Sequence, residues 1–173
     1  MAHLLLSGYF GCGNLGDDAI LLGFVEGLKN TPHDLTVLSG NPDDTFRNYG
    51  FRSVPRKDMK SVREAIERCD ALVYPGGSIF QDVTSFKSVA YYSQLVKWAK
   101  GANKKVVLLG QGVGPLTGFL GKGAARSAFN SADAIAVRDP QSLSTLKSLG
   151  PKARPSCLRL SPTLRAASST PRS

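Results

Sequence analysis

The sequence has few of the residues that build metal sites or disulfide frameworks. It holds two histidines and three cysteines, and no pair of them lies at metal-ligand spacing or forms a C-x-x-C motif. It also has no apolar run near the roughly 20 residues that cross a bilayer. The N-terminus carries no basic segment of the kind that opens a signal peptide. We therefore expect a protein of the cytoplasm that has no metal site and no membrane span.

Acidic residues are missing from the last part of the chain. Residues 151–173 hold five basic residues, four prolines and five serines, with no Asp or Glu and no helical or strand periodicity. This composition is typical of disordered segments. Residues 1–150 carry +4 of the total charge of +9, spread too evenly to indicate a nucleic-acid surface. We expect one ordered domain over residues 1–150 and a disordered, basic, Pro/Ser-rich tail over residues 151–173.

Short apolar segments alternate with helical patterns along residues 1–150. Strands are predicted at residues 3–7, 35–38, 53–54, 71–74, 105–109 and 134–137, and helices at 17–30, 57–69, 88–100, 122–130 and 140–149. This alternation indicates an α/β fold with a Rossmann-like parallel sheet and helices on both faces. We expect the strand order 3-2-1-4-5, with ligands bound outside the carboxyl ends of the strands.

A glycine-rich loop joins the first predicted strand to the first predicted helix. Its glycines are Gly8, Gly11, Gly13 and Gly16. Such glycines let a ligand approach the backbone closely, and the helix N-terminus behind them favours an anion. The carboxylates of Asp17 and Asp18 follow directly, although they would repel a phosphate. They either cap the helix or carry out chemistry beside a bound ligand.

Two further glycine-containing segments follow predicted strands. Residues 75–82 read PGGSIFQD, and residues 110–116 read GQGVGPL. Their glycines allow close approach of a ligand, while their polar side chains can bind ligand oxygens or amides. Each segment can instead be a plain turn that redirects the chain. The candidate ligand contacts are Gly76, Gly77, Ser78, Gln81, Gln111 and Gly112.

One arginine stands at the end of the last predicted strand, just ahead of a helix. Residues 137–142 read VRDPQS and place Arg138 at this point. A guanidinium binds a carboxylate or phosphate through paired hydrogen bonds and keeps its charge. The competing interpretation is that Arg138 and Asp139 only pair with each other to cap and anchor the helix.

The four motifs resemble those of a known family. Residues 8–21 read GYFGCGNLGDDAIL and resemble the opening motif of the polysaccharide pyruvyl transferases of the CsaB type, G-Y-[FY]-G-x-x-N-x-G-D-[ED]-A-[IV]-L. The segments at 76–82, 110–116 and 137–142 resemble three later motifs in the family's order. The resemblance covers residues 1–150. The predicted substrate-binding residues are Gly11, Gly13, Asn14, Gly16, Gly76, Gly77, Ser78, Gln81, Gln111 and Gly112.

The resemblance implies an enzyme of two Rossmann-like domains that face each other across a cleft, as in GT-B glycosyltransferases. Members of the family transfer an enolpyruvyl-derived group from phosphoenolpyruvate to a sugar, which forms a pyruvate ketal and releases phosphate without a cofactor. In the CsaB branch the acceptor is an N-acetylmannosamine of a bacterial secondary cell-wall polysaccharide. The ketal then recruits S-layer homology domains.

The same resemblance implies roles for three charged residues. Asp17 or Asp18 acts as a base toward a sugar hydroxyl or positions the sugar, and Arg138 holds an anion. The family's other donor-binding cations lie in a second domain, which residues 151–173 do not resemble. We therefore expect this chain to be an N-terminal half that is inactive alone. Its tail then arises from a shifted reading frame or serves as a linker.

Two other functions remain compatible with the sequence. One is half of a GT-B glycosyltransferase that binds a nucleotide sugar, since such an enzyme shares the fold. The other is a non-catalytic Rossmann-like fragment. The acceptor sugar, the oligomeric state and the choice between Asp17 and Asp18 are not decided by the sequence.

Overall fold

The computed structural model describes residues 1–81, 86–150 and 156–157, without the side chain of Phe86. The strands are β1 (Ala2–Leu6), β2 (His33–Ser39), β3 (Ser53–Pro55), β4 (Ala71–Tyr74), β5 (Gly77–Phe80), β6 (Lys105–Val113), β7 (Ala134–Val137) and β8 (Ser156–Cys157). The helices are α1 (Leu15–Leu28), α2 (Pro42–Tyr49), α3 (Met59–Arg68), α4 (Phe86–Gly101), α5 (Phe119–Ser131) and α6 (Pro140–Ser148). No helix in these described ranges is both long enough and apolar enough to cross a membrane.

All eight strands run parallel in one sheet, which confirms the predicted α/β, Rossmann-like fold. Their order is β3-β2-β1-β4-β6-β7-β8, with β5 paired to β6. The predicted order 3-2-1-4-5 corresponds to β3-β2-β1-β4-β6 and is confirmed. Parallel pairing brings the carboxyl ends of the strands to one edge, so the loops that follow them meet there.

The sheet has two apolar faces because neighbouring residues of a strand point to opposite sides. On one face, Leu5, Leu72 and Leu108 are fully buried in a cluster to which α3, α4 and α5 contribute. On the other face, Leu6 and Val73 pack in a cluster with side chains of α1. Helices therefore cover both faces, as predicted.

The helix α2 was not predicted, because its sequence PDDTFRNY is short and mostly polar. Local end signals produce it instead. The side chain of Asn41 accepts a hydrogen bond from the backbone N–H of Asp44, Pro42 stands in the first turn, and Gly50 ends the helix in the left-handed conformation. Only Thr45 is buried, so caps rather than core contacts define this element.

The strand β5 corrects the prediction of a loop after β4. Gly77 pairs with Gln111, and Phe80 with Val113, so β6 extends to Val113 and does not end at residue 109. The chain thus runs along β6 twice, first as β4 and then as β5. Pro75, which has no backbone N–H to donate to a ladder, separates the two.

The strand β8 lies within the segment predicted to be a disordered tail. Ser156 and Cys157 pair in parallel with Ala136 and Val137 of β7, at the edge of the sheet. This strand was not foreseen by the sequence analysis. The rest of residues 151–173 lies outside the described residues, as does Asp82 of the second motif, so the domain boundary stays a prediction.

Asp133 connects the start of β7 to α4 and β6. Its carboxylate accepts hydrogen bonds from Lys100 Nζ at 2.9 Å, Lys105 Nζ at 3.2 Å and the backbone N–H of Val106 at 2.8 Å. Burial of the carboxylate raises its pKa, but these hydrogen bonds outweigh burial and lower the pKa from 3.8 to about 2. The ionised form of Asp133 therefore stabilises the folded state.

Asp133→Asn should reduce the acid sensitivity of the fold. Because the pKa of Asp133 is lower in the folded state, its stabilisation is complete above the unfolded value of 3.8 and is lost as the pH falls toward about 2. The variant should have a lower free energy of unfolding at neutral pH and a flatter pH dependence in this window. Urea denaturation at stepped pH measures both. Asp43→Asn on α2 is the control, and equal acid sensitivity in wild type and Asp133→Asn would contradict the expectation.

Candidate functional site

Two clefts open where loops follow the carboxyl ends of the strands. The larger, here called the main cleft, has a volume of about 630 Å³. The smaller, here called the side cleft, has a volume of about 240 Å³ and lies along residues 112–115 and the start of α6. Arg138 lines both clefts. The residues that line the main cleft are Tyr9, Asn14, Gly16, Asp17, Ile20, Gly77, Ser78, Ile79, Gln81, Ser88, Tyr92 and Arg138.

The structure assigns different positions to the two neighbouring carboxylates. Asp17 lines the main cleft. Asp18 is 7% exposed, and its Oδ1 accepts a hydrogen bond from the backbone N–H of Gly11 at 3.0 Å. Asp18 therefore holds the glycine loop in place and does not face the cleft. Of the two predicted catalytic carboxylates, Asp17 alone is presented to a ligand there.

Asn14 caps α1, and this corrects the prediction that Asp17 or Asp18 does so. The Asn14 Oδ1 accepts a hydrogen bond from the backbone N–H of Gly16 at 3.1 Å, and its Nδ2 donates to Asp17 Oδ2 at 2.6 Å. A side chain at the cap position competes best for the free N–H groups of the first turn. Asn14 thus positions the Asp17 carboxylate as well as the helix start.

The environment of Asp17 suits a group that accepts a proton. Burial and the charge of Asp18 raise its pKa above 3.8, while the charge of Arg56 and the hydrogen bond from Asn14 lower it, with a net upward shift. A carboxylate with a raised pKa is a stronger base than an ordinary Asp. Such perturbed carboxylates in clefts are common at functional sites.

Arg138 lines the main cleft and also contacts Asp139, the residue that caps α6. Its Nε donates to Asp139 Oδ2 at 3.1 Å, and its Nη1 donates to Ser78 Oγ at 3.3 Å. Asp139 in turn caps α6 by accepting the backbone N–H of Ser142 at 2.7 Å. The two interpretations of the Arg138–Asp139 pair are therefore compatible, since 57% of the Arg138 side chain stays exposed.

Gly112 provides the space in which Arg138 meets Ser78. A Cβ atom at this position would lie 2.5 Å from Ser78 Oγ and 3.0 Å from Arg138 Nη2. The two side chains therefore pass over a residue that has no side chain of its own. Gly112 itself lines the side cleft and not the main cleft.

Gln111 corrects the prediction of a ligand-facing amide at the end of the strand. Its side chain is fully buried, and its Nε2 donates to the backbone oxygens of Tyr74 at 3.2 Å and Leu109 at 2.8 Å. Gln111 lies within β6, which is longer than predicted, and lines neither cleft. Its Nε2 therefore joins β4 to β6.

Three predicted glycines shape the backbone rather than line a cleft. Gly11 has φ +61°, and a Cβ there would lie 2.1 Å from Ser39 Oγ. The loop can therefore pass this close to β2 only because residue 11 is glycine. At Gly76, an added Cβ would lie 2.7 Å from Ile20 Cγ2, so only glycine leaves room for the Ile20 side chain. Gly13 lies in the turn before α1. The predicted residues that the structure does bring together in the main cleft are Asn14, Gly16, Asp17, Gly77, Ser78, Gln81 and Arg138.

Aromatic and hydroxyl side chains of the cleft were missed from the sequence. Tyr92 on α4 is 1% exposed, yet its side chain borders the main cleft. Tyr9 and Ser88 also line the cleft. Arg56 follows β3 in a short connection, and no local sequence pattern marks it as a site residue. The fold brings it to Tyr92, where its Nη2 lies 3.0 Å from the hydroxyl oxygen.

Comparison with protein families finds a match over most of the chain. The family model described as polysaccharide pyruvyl transferase matches residues 14–173. No curated protein matches the chain. Within the described residues, no group of three or more His, Cys, Asp or Glu side chains is arranged to hold a metal ion.

Proposed function

The chain belongs to the polysaccharide pyruvyl transferase family, and on that premise we propose that it provides the N-terminal domain of a cytoplasmic enzyme acting on cell-wall polysaccharide. The enzyme transfers a pyruvate ketal from phosphoenolpyruvate to a sugar such as N-acetylmannosamine. The observation that carries the proposal is the presence of the Asp17 carboxylate and the Arg138 guanidinium in the wall of the same cleft. The cleft volume of about 630 Å³ is within the range of small-molecule sites.

The reaction makes three demands on the site. Two sugar hydroxyl oxygens form bonds to C2 of phosphoenolpyruvate, and the bond from C2 to the phosphate oxygen breaks. One hydroxyl proton is removed as each oxygen attacks. One proton is added to the methylene carbon to form the methyl group, and the other leaves with the inorganic phosphate. The site therefore needs a base, an acid and cations for the carboxylate and phosphate.

The described residues supply two of these groups. Asp17, whose pKa is raised by burial and by Asp18, takes the proton from a sugar hydroxyl. Arg138, steadied by Ser78 and Asp139, holds a carboxylate or phosphate oxygen of the donor. Gln81 and Ser88 lie along the same cleft and can bind sugar hydroxyls. The acid and the remaining cations come from a second domain under this proposal.

The test is a chimera in which residues 1–150 replace the N-terminal domain of a full-length family member. The assay measures phosphate release from phosphoenolpyruvate in the presence of an N-acetylmannosaminyl acceptor. Mass spectrometry of the acceptor then identifies the product. The chimera should be active, and the 173-residue chain alone should be inactive, because a cleft that closes between two domains aligns the reactants and excludes water. A folded but inactive chimera beside an active parent would overturn the proposal. Turnover of a nucleotide sugar would favour the glycosyltransferase alternative.

Gly112→Ala should weaken the donor site of the chimera. The added methyl group would displace Ser78 Oγ and Arg138 Nη2, which it would approach to 2.5 and 3.0 Å. Loss of one charged hydrogen bond predicts a rise of about tenfold in KM for phosphoenolpyruvate. The matched control is Gly123→Ala on α5, where a Cβ meets no atom within 4 Å. Equal KM values for the two variants would show that Arg138 does not bind the donor.

A further inference from the structure

Arg56 carries a guanidinium enclosed by three aromatic rings, two of which line the main cleft. Its Cζ lies 5.0 Å from the ring centre of Tyr9, 5.1 Å from that of Tyr91 and 5.6 Å from that of Tyr92. These are distances at which a cation is attracted to an aromatic face. Its Nη2 donates to the Tyr92 hydroxyl at 3.0 Å, and its Nη1 donates to Cys12 Sγ at 3.5 Å.

The backbone holds Arg56 in this place from two sides. Its N–H donates to the backbone oxygen of Ser39 at 2.8 Å, and its carbonyl oxygen accepts the Tyr91 hydroxyl at 2.8 Å. Burial raises the pKa of both Tyr91 and Tyr92, so the two phenols stay neutral and do not cancel the positive charge. Arg56 takes part in none of the ion pairs among the described residues.

The charge of Arg56 acts instead on the carboxylate of the cleft. It lowers the pKa of Asp17, against the opposing effects of burial and Asp18. Two of the rings that enclose Arg56, Tyr9 and Tyr92, line the main cleft together with Asp17. Arg138 is the only cation among the described residues that lines the main cleft. Without a second positive charge nearby, the ionised Asp17 would repel an anionic ligand.

We propose that Arg56 is a positioning residue of the main cleft, which fixes Tyr9 and Tyr92 in its wall and balances the negative charge of Asp17. An ionised Asp17 and an anionic ligand can then occupy the cleft together. The identity of that anion as phosphoenolpyruvate rests on the proposed function. The arrangement of Arg56, the tyrosines and Asp17 does not depend on it.

The first experiment follows the titration of the Asp17 carboxyl carbon by NMR in the full 173-residue chain, with Asp17→Asn to assign the signal. Arg56→Gln should move the Asp17 midpoint to higher pH, and Arg56→Lys should leave it near the wild-type value because the charge is kept. The control is Arg52→Gln, which removes an exposed guanidinium paired with Asp34 and should leave the midpoint unchanged. A folded Arg56→Gln chain with an unchanged Asp17 midpoint would overturn the proposal.

The second experiment separates geometry from charge. Arg56→Lys loses the planar fork that contacts the Tyr92 hydroxyl, so the Tyr92 ring signals should shift in Arg56→Lys as they do in Arg56→Gln. A purely structural role would lower stability and leave the Asp17 midpoint where it is. Unshifted Tyr92 signals in Arg56→Lys would show that the guanidinium does not position this ring.

A third measurement needs no substitution and covers the case in which Arg56→Gln fails to fold. In the wild-type chain, the guanidinium nitrogen signals of Arg56 should move with the midpoint of Asp17. Those of Arg126 on α5, which takes part in no ion pair among the described residues, should not. Arg56 signals that do not follow the Asp17 midpoint would overturn the proposal. An inactive chimera combined with coupled Arg56 and Asp17 signals would refute the proposed function and leave the role of Arg56 standing.

Discussion

Asp17→Asn should lower the rate of ketal transfer in the chimera by about 10²- to 10⁴-fold, the usual contribution of a positioned general base. Asparagine has nearly the same shape and keeps an oxygen that can accept the hydrogen bond from Asn14 Nδ2, so the fold of the loop should survive. It cannot take a proton from a sugar hydroxyl. Asp43→Asn, an exposed carboxylate on α2, is the control and should retain full activity.

The pH dependence of the rate gives a second test of the same residue. A base acts only when it is deprotonated, so the rate should rise with pH through the raised pKa of Asp17 and level off above it. Asp18→Asn removes one cause of the upward shift and should move this rise to lower pH. If Asp17→Asn kept both the rate and its rise with pH, Asp17 would not be the base.

Phe80→Ala should lower the free energy of unfolding of the chain by about 3–5 kcal/mol, the usual cost of removing a buried phenylalanine. Phe80 is fully buried, and its ring centre lies 4.8 Å from that of Phe129, 6.1 Å from that of Tyr74 and 6.4 Å from that of Tyr92. The substitution leaves a cavity among these rings and removes their mutual contacts.

Urea denaturation of the 173-residue chain measures this loss. The matched control is Phe46→Ala on α2, where the side chain is 64% exposed and the expected change is within about 0.5 kcal/mol. Because Tyr92 contacts Phe80 and borders the main cleft, Phe80→Ala should also shift the NMR signals of the residues that line the cleft. Equal losses of unfolding free energy in the two variants would mean that Phe80 of β5 is not packed among these rings.

The sequence by itself determined the fold class and indicated the edge of the sheet at which the candidate site lies. The buried residues Leu72 and Ile135 stand in short apolar segments bounded by turn residues. The capping of α6 by Asp139 is likewise a local pattern. Such signals depend on neighbours along the chain, so they can be recognised without the rest of the molecule.

Only the tertiary structure decided which polar residues share the cleft. Ser78 meets Arg138 across 60 positions of the chain, and Arg56 meets Tyr92 across 36. Asp17 and Asp18 are adjacent and chemically alike, yet one faces the cleft and the other is buried against the N–H of Gly11.

Gln111 shows the same limit in the opposite direction. It stands within a motif, and pairing of β6 with β5 places it inside the sheet, where its amide joins two strands. Side-chain direction at a strand end depends on where the ladder stops. That point is set by pairing between distant segments, which no local pattern records.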